Sequence, residues 1–350
     1  MTTKLSGDSK PSTSAQVATS PQTTGTTRTT RAARTTKSAK LGRSAKAARS
    51  AGVRRPLTAP DLIRLKRSGQ PIVMVTAYDS TFGRLVDEAA VDVILIGDSL
   101  GMVMQGHAHT LEVTLEQMAY HSRCVQRAVK NALLVADMPF MSYQVSSELA
   151  LISAGKLIQE GGAAAVKLEG GGKDREATVR RIVSAGIPVM GHLGLTPQSV
   201  HEFGGFRVQA REQTAALQLR RDALGLQEAG AFAIVIEGVP APLATEVSKS
   251  LEVPTIGIGA GIGCDGQVLV IQDLLGLEDR FKPRFVKRYA DLSNTVRDAV
   301  RNYAEEVRAR TFPGDEHSFS AASAAKPKAD SASDATPASS PPSTGGYGPQ

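Results

Sequence analysis

The sequence predicts an α/β protein built as a (β/α)8 TIM barrel, and three observations carry that expectation. From residue 71 onward, short apolar runs alternate with longer amphipathic stretches, the pattern of repeated strand and helix units around a parallel sheet. Eight such runs fall within about 257 residues, the size of a single barrel domain, which favours a closed barrel over an open doubly wound sheet. Run after run stays apolar through its body and ends on a polar or ionisable residue: Asp98 and Ser99, Asp137, Lys167 and Glu169, His192, Glu237.

The first run is PIVMVTAYD (71–79), followed by the helical STFGRLVDEA. The second, VDVILIGDS (91–99), leads to TLEQMAYHSRCVQRAVK, where Thr114 and Gln117 have capping-box spacing. LLVADMPF (133–140) is the third, and its helix SSELALISAGKLIQEGG has a glycine stop. AAAVKLEGG (163–171) is the fourth, with DREATVRRIVSAG as its helix. PVMGHLGL (188–195) precedes a loop and the long helix REQTAALQLRRDALGLQEAG; FAIVIEGVP (232–240) precedes the short PLATEVSKSL. VPTIGIGAG (253–261) is the seventh strand, QVLVIQDLLG (267–276) the eighth, and a last helix is expected over 287–309.

The two ends differ from this core. Residues 1–55 hold twelve Lys or Arg against the single acid Asp8, so the segment carries +11 while the whole 350-residue chain carries +7. The basic balance therefore belongs to a tail, and the remainder is slightly acidic. That composition reads as a solvated disordered arm, with weak attraction to nucleic acid or another acidic surface, or an organelle transit peptide, as the other readings. It has no aromatic residue to stack on bases, and it lacks the large apolar residues of a transit helix. Residues 313–350, rich in Pro, Ser and Ala, are likewise expected to be disordered, which leaves 56–312 as the catalytic barrel. No run of about 18 apolar residues is present, so no membrane span is expected. Cys124 and Cys264 stand far apart and read as buried small hydrophobes in a reducing cytoplasm.

In a parallel barrel all the strand ends lie on the C-terminal face, where barrel enzymes carry their chemistry. Asp98, Asp137 and Glu169 come from three strand ends, and gathered carboxylates repel unless a cation sits among them. Oxygen ligands without a His or Cys cluster suit Mg2+; the alternative is that each acid caps a helix or lies on the surface. Ser99 has its hydroxyl and backbone N–H available to a substrate carboxylate, or else caps the next turn. Lys167 and Glu169 share a strand face while Leu168 packs outward; the lysine would balance substrate negative charge, or else form a buried ion pair with one of the acids. Glu237, in an apolar setting and not tied up as a ligand, is the candidate general base. His192, with its ring expected to be exposed between a glycine and a tight turn, is a positioner or an acid. Gly261, Gly263 and Gly266 imitate a dinucleotide fingerprint, but a strand-like QVLVI follows where a helix should open, so they are expected to keep side chains out of a pocket mouth instead.

IGDSLGMVMQGH, ADMPFMSY, VKLEGG, GHLGLTPQS, IEGVP and GIGAGIGCDGQVLV, in that order, resemble the ketopantoate hydroxymethyltransferase family over about residues 56–310. The resemblance implies a Mg2+-dependent barrel of the phosphoenolpyruvate mutase and isocitrate lyase type. It further implies transfer of a hydroxymethyl group from 5,10-methylenetetrahydrofolate to 3-methyl-2-oxobutanoate through a metal-stabilised enolate, with water consumed, giving 2-dehydropantoate and tetrahydrofolate on the route to pantothenate and coenzyme A. By resemblance, Mg2+ lies on Asp98 and Asp137, with Glu169 completing or supporting the site. Substrate meets Ser99 and Lys167, with Asp98, Asp137 and His192 also at the substrate, and Glu237 accepts the proton. Homodecamers are the implied assembly. A Mg2+-dependent C–C lyase acting on another 2-oxo acid is the alternative enzyme, and a nucleic-acid-associated protein acting through the basic arm is the alternative of another class.

Overall fold

A computed structural model describes residues 55–279 and 282–319. The expectations for the basic arm up to residue 54 and for the tail beyond 319 lie outside the described residues.

Eight parallel strands close on themselves in chain order: β1 (Ile72–Thr76), β2 (Val93–Ile96), β3 (Leu133–Asp137), β4 (Ala165–Glu169), β5 (Val189–Gly194), β6 (Ala233–Glu237), β7 (Thr255–Ile258) and β8 (Gly266–Leu269). Closure is made by β8 against β1, with Ile72 opposite Gly266 and Val75 opposite Leu269. The helices are α1 (Ala59–Arg67), α2 (Ser80–Glu88), α3 (Leu100–Val103), α4 (Leu115–Gln126), α5 (Ser147–Gln159), α6 (Lys173–Ser184), α7 (Val200–Phe203), α8 (Gln213–Glu228), α9 (Ala241–Ser250), α10 (Ile271–Leu275) and α11 (Leu292–Ala309).

Side chains alternate across each strand, and two apolar clusters result. Met74, Leu95, Val135, Ala165, Met190, Val235 and Ile256 fill the barrel, while Ile94, Leu134, Val166, Leu168 and Ile234 face the surrounding helices. Each fully buried side chain of this size contributes about 1.5–3 kcal/mol, so the closed sheet is held from both faces. The expected outward packing of Leu168 is met.

The first helix had no counterpart among the strand and helix runs read from residue 71 onward. Pro60 opens α1, Thr58 N donates to Asp61 Oδ2 at 2.8 Å in a capping box, and Arg64, Lys66 and Arg67 occupy its last turn. Its Ala59, Leu62 and Leu65 join the cluster inside the barrel, so this helix is the floor at the N-terminal ends of the strands. The same side is tied down by Asp87 at the end of α2, whose carboxylate accepts from the backbone N–H of Lys130, Asn131 and Ala132 on the way into β3.

The last units depart from the expected plan. Residues 259–265 connect β7 to β8 without a helix, and β8 covers only the first part of QVLVIQDLLG. Ile271 N donates to Thr76 Oγ1 at 3.0 Å, which turns the chain into α10, and Ile271, Leu274 and Leu275 then pack on the outer core at helical spacing. The final helix starts at Leu292 rather than 287, because Tyr289 N is engaged by Leu274 O at 2.8 Å. Beyond it a 3-10 turn spans Asp315–His317.

On the outer face of β1, Val73 is 48% exposed among the described residues. A groove of about 400 Å3 opens there, lined by Lys66, Gln70, Val73, Ile262 and Gln267. Of the fingerprint glycines, Gly266 lines this groove. A side chain at Gly263 would run into Thr245 of α9, and one at Gly266 would meet the backbone of Ile72 where β8 joins β1. Neither cysteine is fully buried, and both are free.

Candidate active site

Asp137, Lys167, Glu169, His192 and Glu237 continue the inward series that begins with Val135, Ala165, Met190 and Val235, so they emerge above the apolar filling at the C-terminal mouth. Asp98 joins them from the turn between β2 and α3. That turn closes because residue 97 is glycine: a Cβ there would lie 2.6 Å from Ser99 Oγ.

Asp98, Asp137, Lys167, Glu169 and His192 are each 3–5% exposed. The acids are therefore not surface residues, and none is an N-cap, since Ser99, Thr114, Ser146 and Gly172 hold those positions on α3, α4, α5 and α6. The expected exposure of His192 is overturned, because neighbouring strand ends enclose its ring. Glu237 keeps a 15% exposed side chain at the rim.

Lys167 Nζ lies 2.9 Å from Asp137 Oδ1, so the ion pair runs across the β3–β4 register to its opposite number, and not along the strand to Glu169. Asp137 Oδ2 accepts from the backbone N–H of Asp98 at 3.1 Å. Glu169 Oε2 accepts from the Gln198 N–H at 3.0 Å, and its Oε1 lies 3.3 Å from His192 Nδ1. His192 Nδ1 is also 3.2 Å from Lys167 Nζ, and its Nε2 is 3.3 Å from Glu237 Oε2.

Three buried carboxylates face one ammonium, and their protonation reflects it. Burial, and then the charges of Asp137 and Glu169, raise the Asp98 pKa well above the ordinary carboxylate range. Burial pushes Glu169 up to about 7 against the opposing pull of Lys167. Burial works against the Lys167 ammonium, yet Asp137, Glu169 and Asp98 together outweigh it and raise its pKa. Burial, then Lys167, lowers His192 and favours the neutral ring.

Ser99 makes no side-chain cap on α3; its Oγ lies 2.9 Å from Tyr78 Oη instead. Tyr78, Tyr143 and Gln198 are site residues that the sequence did not single out. Gln198 had been visible only as part of GHLGLTPQS, where a polar residue after a proline looks like any surface turn.

Among the described residues, no group of three or more His, Cys, Asp or Glu side chains converges tightly enough to hold a metal by itself. The donor chemistry still fits one class of ion. Asp98, Asp137 and Glu169 offer only carboxylate oxygen, with more buried negative charge than Lys167 balances, and Mg2+ characteristically takes one or two carboxylates and completes its shell with water and substrate.

The profile of the ketopantoate hydroxymethyltransferase family matches residues 56–315. Proteins named 3-methyl-2-oxobutanoate hydroxymethyltransferase from Pelobacter propionicus and Magnetococcus marinus are 55% and 56% identical to this chain over 267 residues, which is 76% of this chain and 98% and 99% of theirs. Among solved structures, 2,3-dimethylmalate lyase, described as a PEP mutase/isocitrate lyase superfamily member, aligns with 76% of this chain and 93% of its own at 18% identity and a TM-score of 0.49, too distant to bear on chemistry.

Proposed function

This chain belongs to the ketopantoate hydroxymethyltransferase family, and from that premise we propose that it transfers a hydroxymethyl group from 5,10-methylenetetrahydrofolate to 3-methyl-2-oxobutanoate, with one water consumed, giving 2-dehydropantoate and tetrahydrofolate for pantothenate and coenzyme A synthesis. The observation that carries the reading is the gathering of Asp98, Asp137 and Glu169 around the single ammonium of Lys167 at the C-terminal mouth of the barrel.

Asp98 and Asp137 would hold Mg2+, with Glu169 completing or supporting the site. Bound there, Mg2+ would supply the positive charge that acidifies the C3 proton of a chelated 2-oxo acid. Glu237, at the rim and outside the carboxylate cluster, receives that proton. Lys167 adds a buried positive charge where the substrate becomes more negative, and Asp137 holds it in place. Ser99, oriented by Tyr78, presents its hydroxyl to the substrate carboxylate. Neutral His192 stands between Glu169 and Glu237 and keeps the two acids apart.

The folded core then reads as a catalytic domain over 56–312, with the segments on either side outside the chemistry. No helix among the described residues is long and apolar enough to cross a membrane, in keeping with a cytoplasmic enzyme. Along α11 the side chains of Val296, Val300, Tyr303 and Val307 are exposed at helical spacing, which supports a homo-oligomer such as the decamer that the family resemblance implies. The lyase alternative loses its thiol donor. Cys264 neighbours Ser248 and Thr255, the latter opening β7, and Cys124 lies in the last turn of α4, so both sit toward the N-terminal ends of the strands.

The test is product formation. The purified chain with Mg2+, 3-methyl-2-oxobutanoate and 5,10-methylenetetrahydrofolate yields 2-dehydropantoate, and chelating the metal abolishes it. Turnover that survives complete metal removal, or retro-aldol cleavage without folate, would refute the reading.

A further inference from the structure

One buried side chain outside the carboxylate set reaches more strand ends than any residue described above. Gln198, in the 3-10 turn Pro197–Ser199 after β5, is 7% exposed. Its Nε2 donates to Asp98 Oδ2 at 2.8 Å and to Met138 O at 3.0 Å. Its Oε1 accepts from Tyr143 Oη at 2.6 Å and from Gln144 Nε2 at 3.1 Å. Its backbone N–H donates to Glu169 Oε2, and Tyr143 Oη in turn accepts from the backbone N–H of Glu169 at 3.1 Å.

Both amide protons and both lone pairs are therefore used, and the orientation admits no reversal. A flipped amide would aim its oxygen at Met138 O, which only accepts, and its own N–H groups at the Gln144 Nε2 donor. A buried amide with every valence satisfied is a rigid joint, whereas one with a lost partner is costly. The contacts link the end of β2 through Asp98, the end of β3 through Met138 and the end of β4 through Glu169, all from a turn that follows β5. A carboxylate swings freely about its last two torsions unless one oxygen is held. Gln198 holds one oxygen of Asp98 with its side chain and one of Glu169 with its backbone.

We infer that Gln198, locked by Tyr143, is a positioning residue that sets the rotamers of Asp98 and Glu169 for a divalent cation. The inference rests on the metal reading above. It assigns Gln198 no contact with substrate and no proton to carry. Its effect is to present the acids in the arrangement that the ion requires, without reorganisation when the ion arrives.

Gln198→Met removes both amide donors and both acceptors at nearly constant volume, and Tyr143→Phe removes only the hydroxyl that locks the amide. Binding of Mn2+, used as a paramagnetic substitute for Mg2+, is titrated by the spin-resonance signal of the free ion for the unsubstituted chain and both variants, with thermal unfolding of each alongside. Gln198→Met is expected to weaken Mn2+ about 10–100-fold while remaining folded, and Tyr143→Phe to weaken it several-fold in the same direction. A folded Gln198→Met chain that binds Mn2+ within twofold of the unsubstituted chain overturns the inference. If that variant does not fold, Tyr143→Phe decides by the same twofold limit. Absence of Mn2+ binding by the unsubstituted chain overturns the metal reading itself, and the inference with it.

Discussion

His192 Nε2 lies 3.3 Å from Glu237 Oε2, joining the ends of the neighbouring strands β5 and β6. Lys167 Nζ, 3.2 Å from the other ring nitrogen, can only donate, so the neutral ring carries its proton on Nε2, the side of Glu237. The approach lacks hydrogen-bond geometry, leaving Nε2 without a partner of its own. Under the proposed function, a Glu237 carboxylate not engaged by this ring is the one available to take the substrate proton.

Glu237→Gln tests that availability. With Mg2+ and 3-methyl-2-oxobutanoate in D2O, without folate, the unsubstituted chain is expected to exchange the C3 proton, and the variant to lose at least about 100-fold in exchange rate while still binding the oxo acid. Proton NMR follows both. Undiminished exchange would remove Glu237 from the role of base.

Lys167→Met leaves Asp98, Asp137 and Glu169 together without their buried cation. Breaking a buried pair by removing one partner costs about 3–5 kcal/mol, so urea unfolding of the metal-free variant should shift by that order. Added Mg2+ is expected to restore part of the loss. A variant as stable as the unsubstituted chain would mean that the Lys167–Asp137 pair contributes nothing net to folding.

Metal-free protein should become less stable as pH rises from about 5 to about 7. Burial raises Glu169 from 4.5 to about 7, and Asp98 is raised as well, so these two acids bind more protons in the folded state across that window and outweigh the one proton that the lowered His192 gives up there. For a raised acid nothing is lost below the unfolded pKa, and the full penalty is present above the folded one. For Glu169 the span corresponds to ~3 kcal/mol. The raised pKa of Lys167 opposes this with a contribution that persists beyond the window, lost only at strongly alkaline pH. Urea midpoints at successive pH values, with chelator present, check the slope; a flat or rising profile contradicts it.

Leu62→Ala probes the floor of the barrel, far from the chemistry. Leu62 is fully buried between α1 and the inner cluster, and a cavity there is expected to cost about 2–5 kcal/mol. Thermal and urea unfolding measure the loss, while turnover per folded molecule should stay unchanged.

The barrel was legible because its signals are local and repeated. Eight apolar runs, the Thr114–Gln117 capping box and the α5 helix that stops before Gly161 each appear where the sequence puts them. The exceptions are instructive. QVLVI is an unbroken apolar run after Gln267 and carries no mark of where a strand should end, so its switch from strand to helix at Ile271 depends on a hydrogen bond to Thr76, 195 residues earlier. The α1 floor precedes the first apolar run and has no strand beside it in the sequence, and only docking into the open end of the barrel gives Leu62 and Leu65 something to pack on.

Sequence alone determined which residues stand at the mouth, because strand periodicity and parallel closure send every strand end to the same face. Tertiary structure decided how they pair. Lys167 and Glu169 are two positions apart on β4, a separation of roughly 6–7 Å along a strand, whereas Asp137 lies directly opposite Lys167 and Glu169 directly opposite His192 in the register. Cross-strand distance, shorter than spacing along the strand, set the ion pair. The amide of Gln198 shows the same limit more strongly: its four partners lie 54 to 100 residues away apart from the Glu169 carboxylate that its backbone meets at 29, and only closure of the barrel brings them to one point.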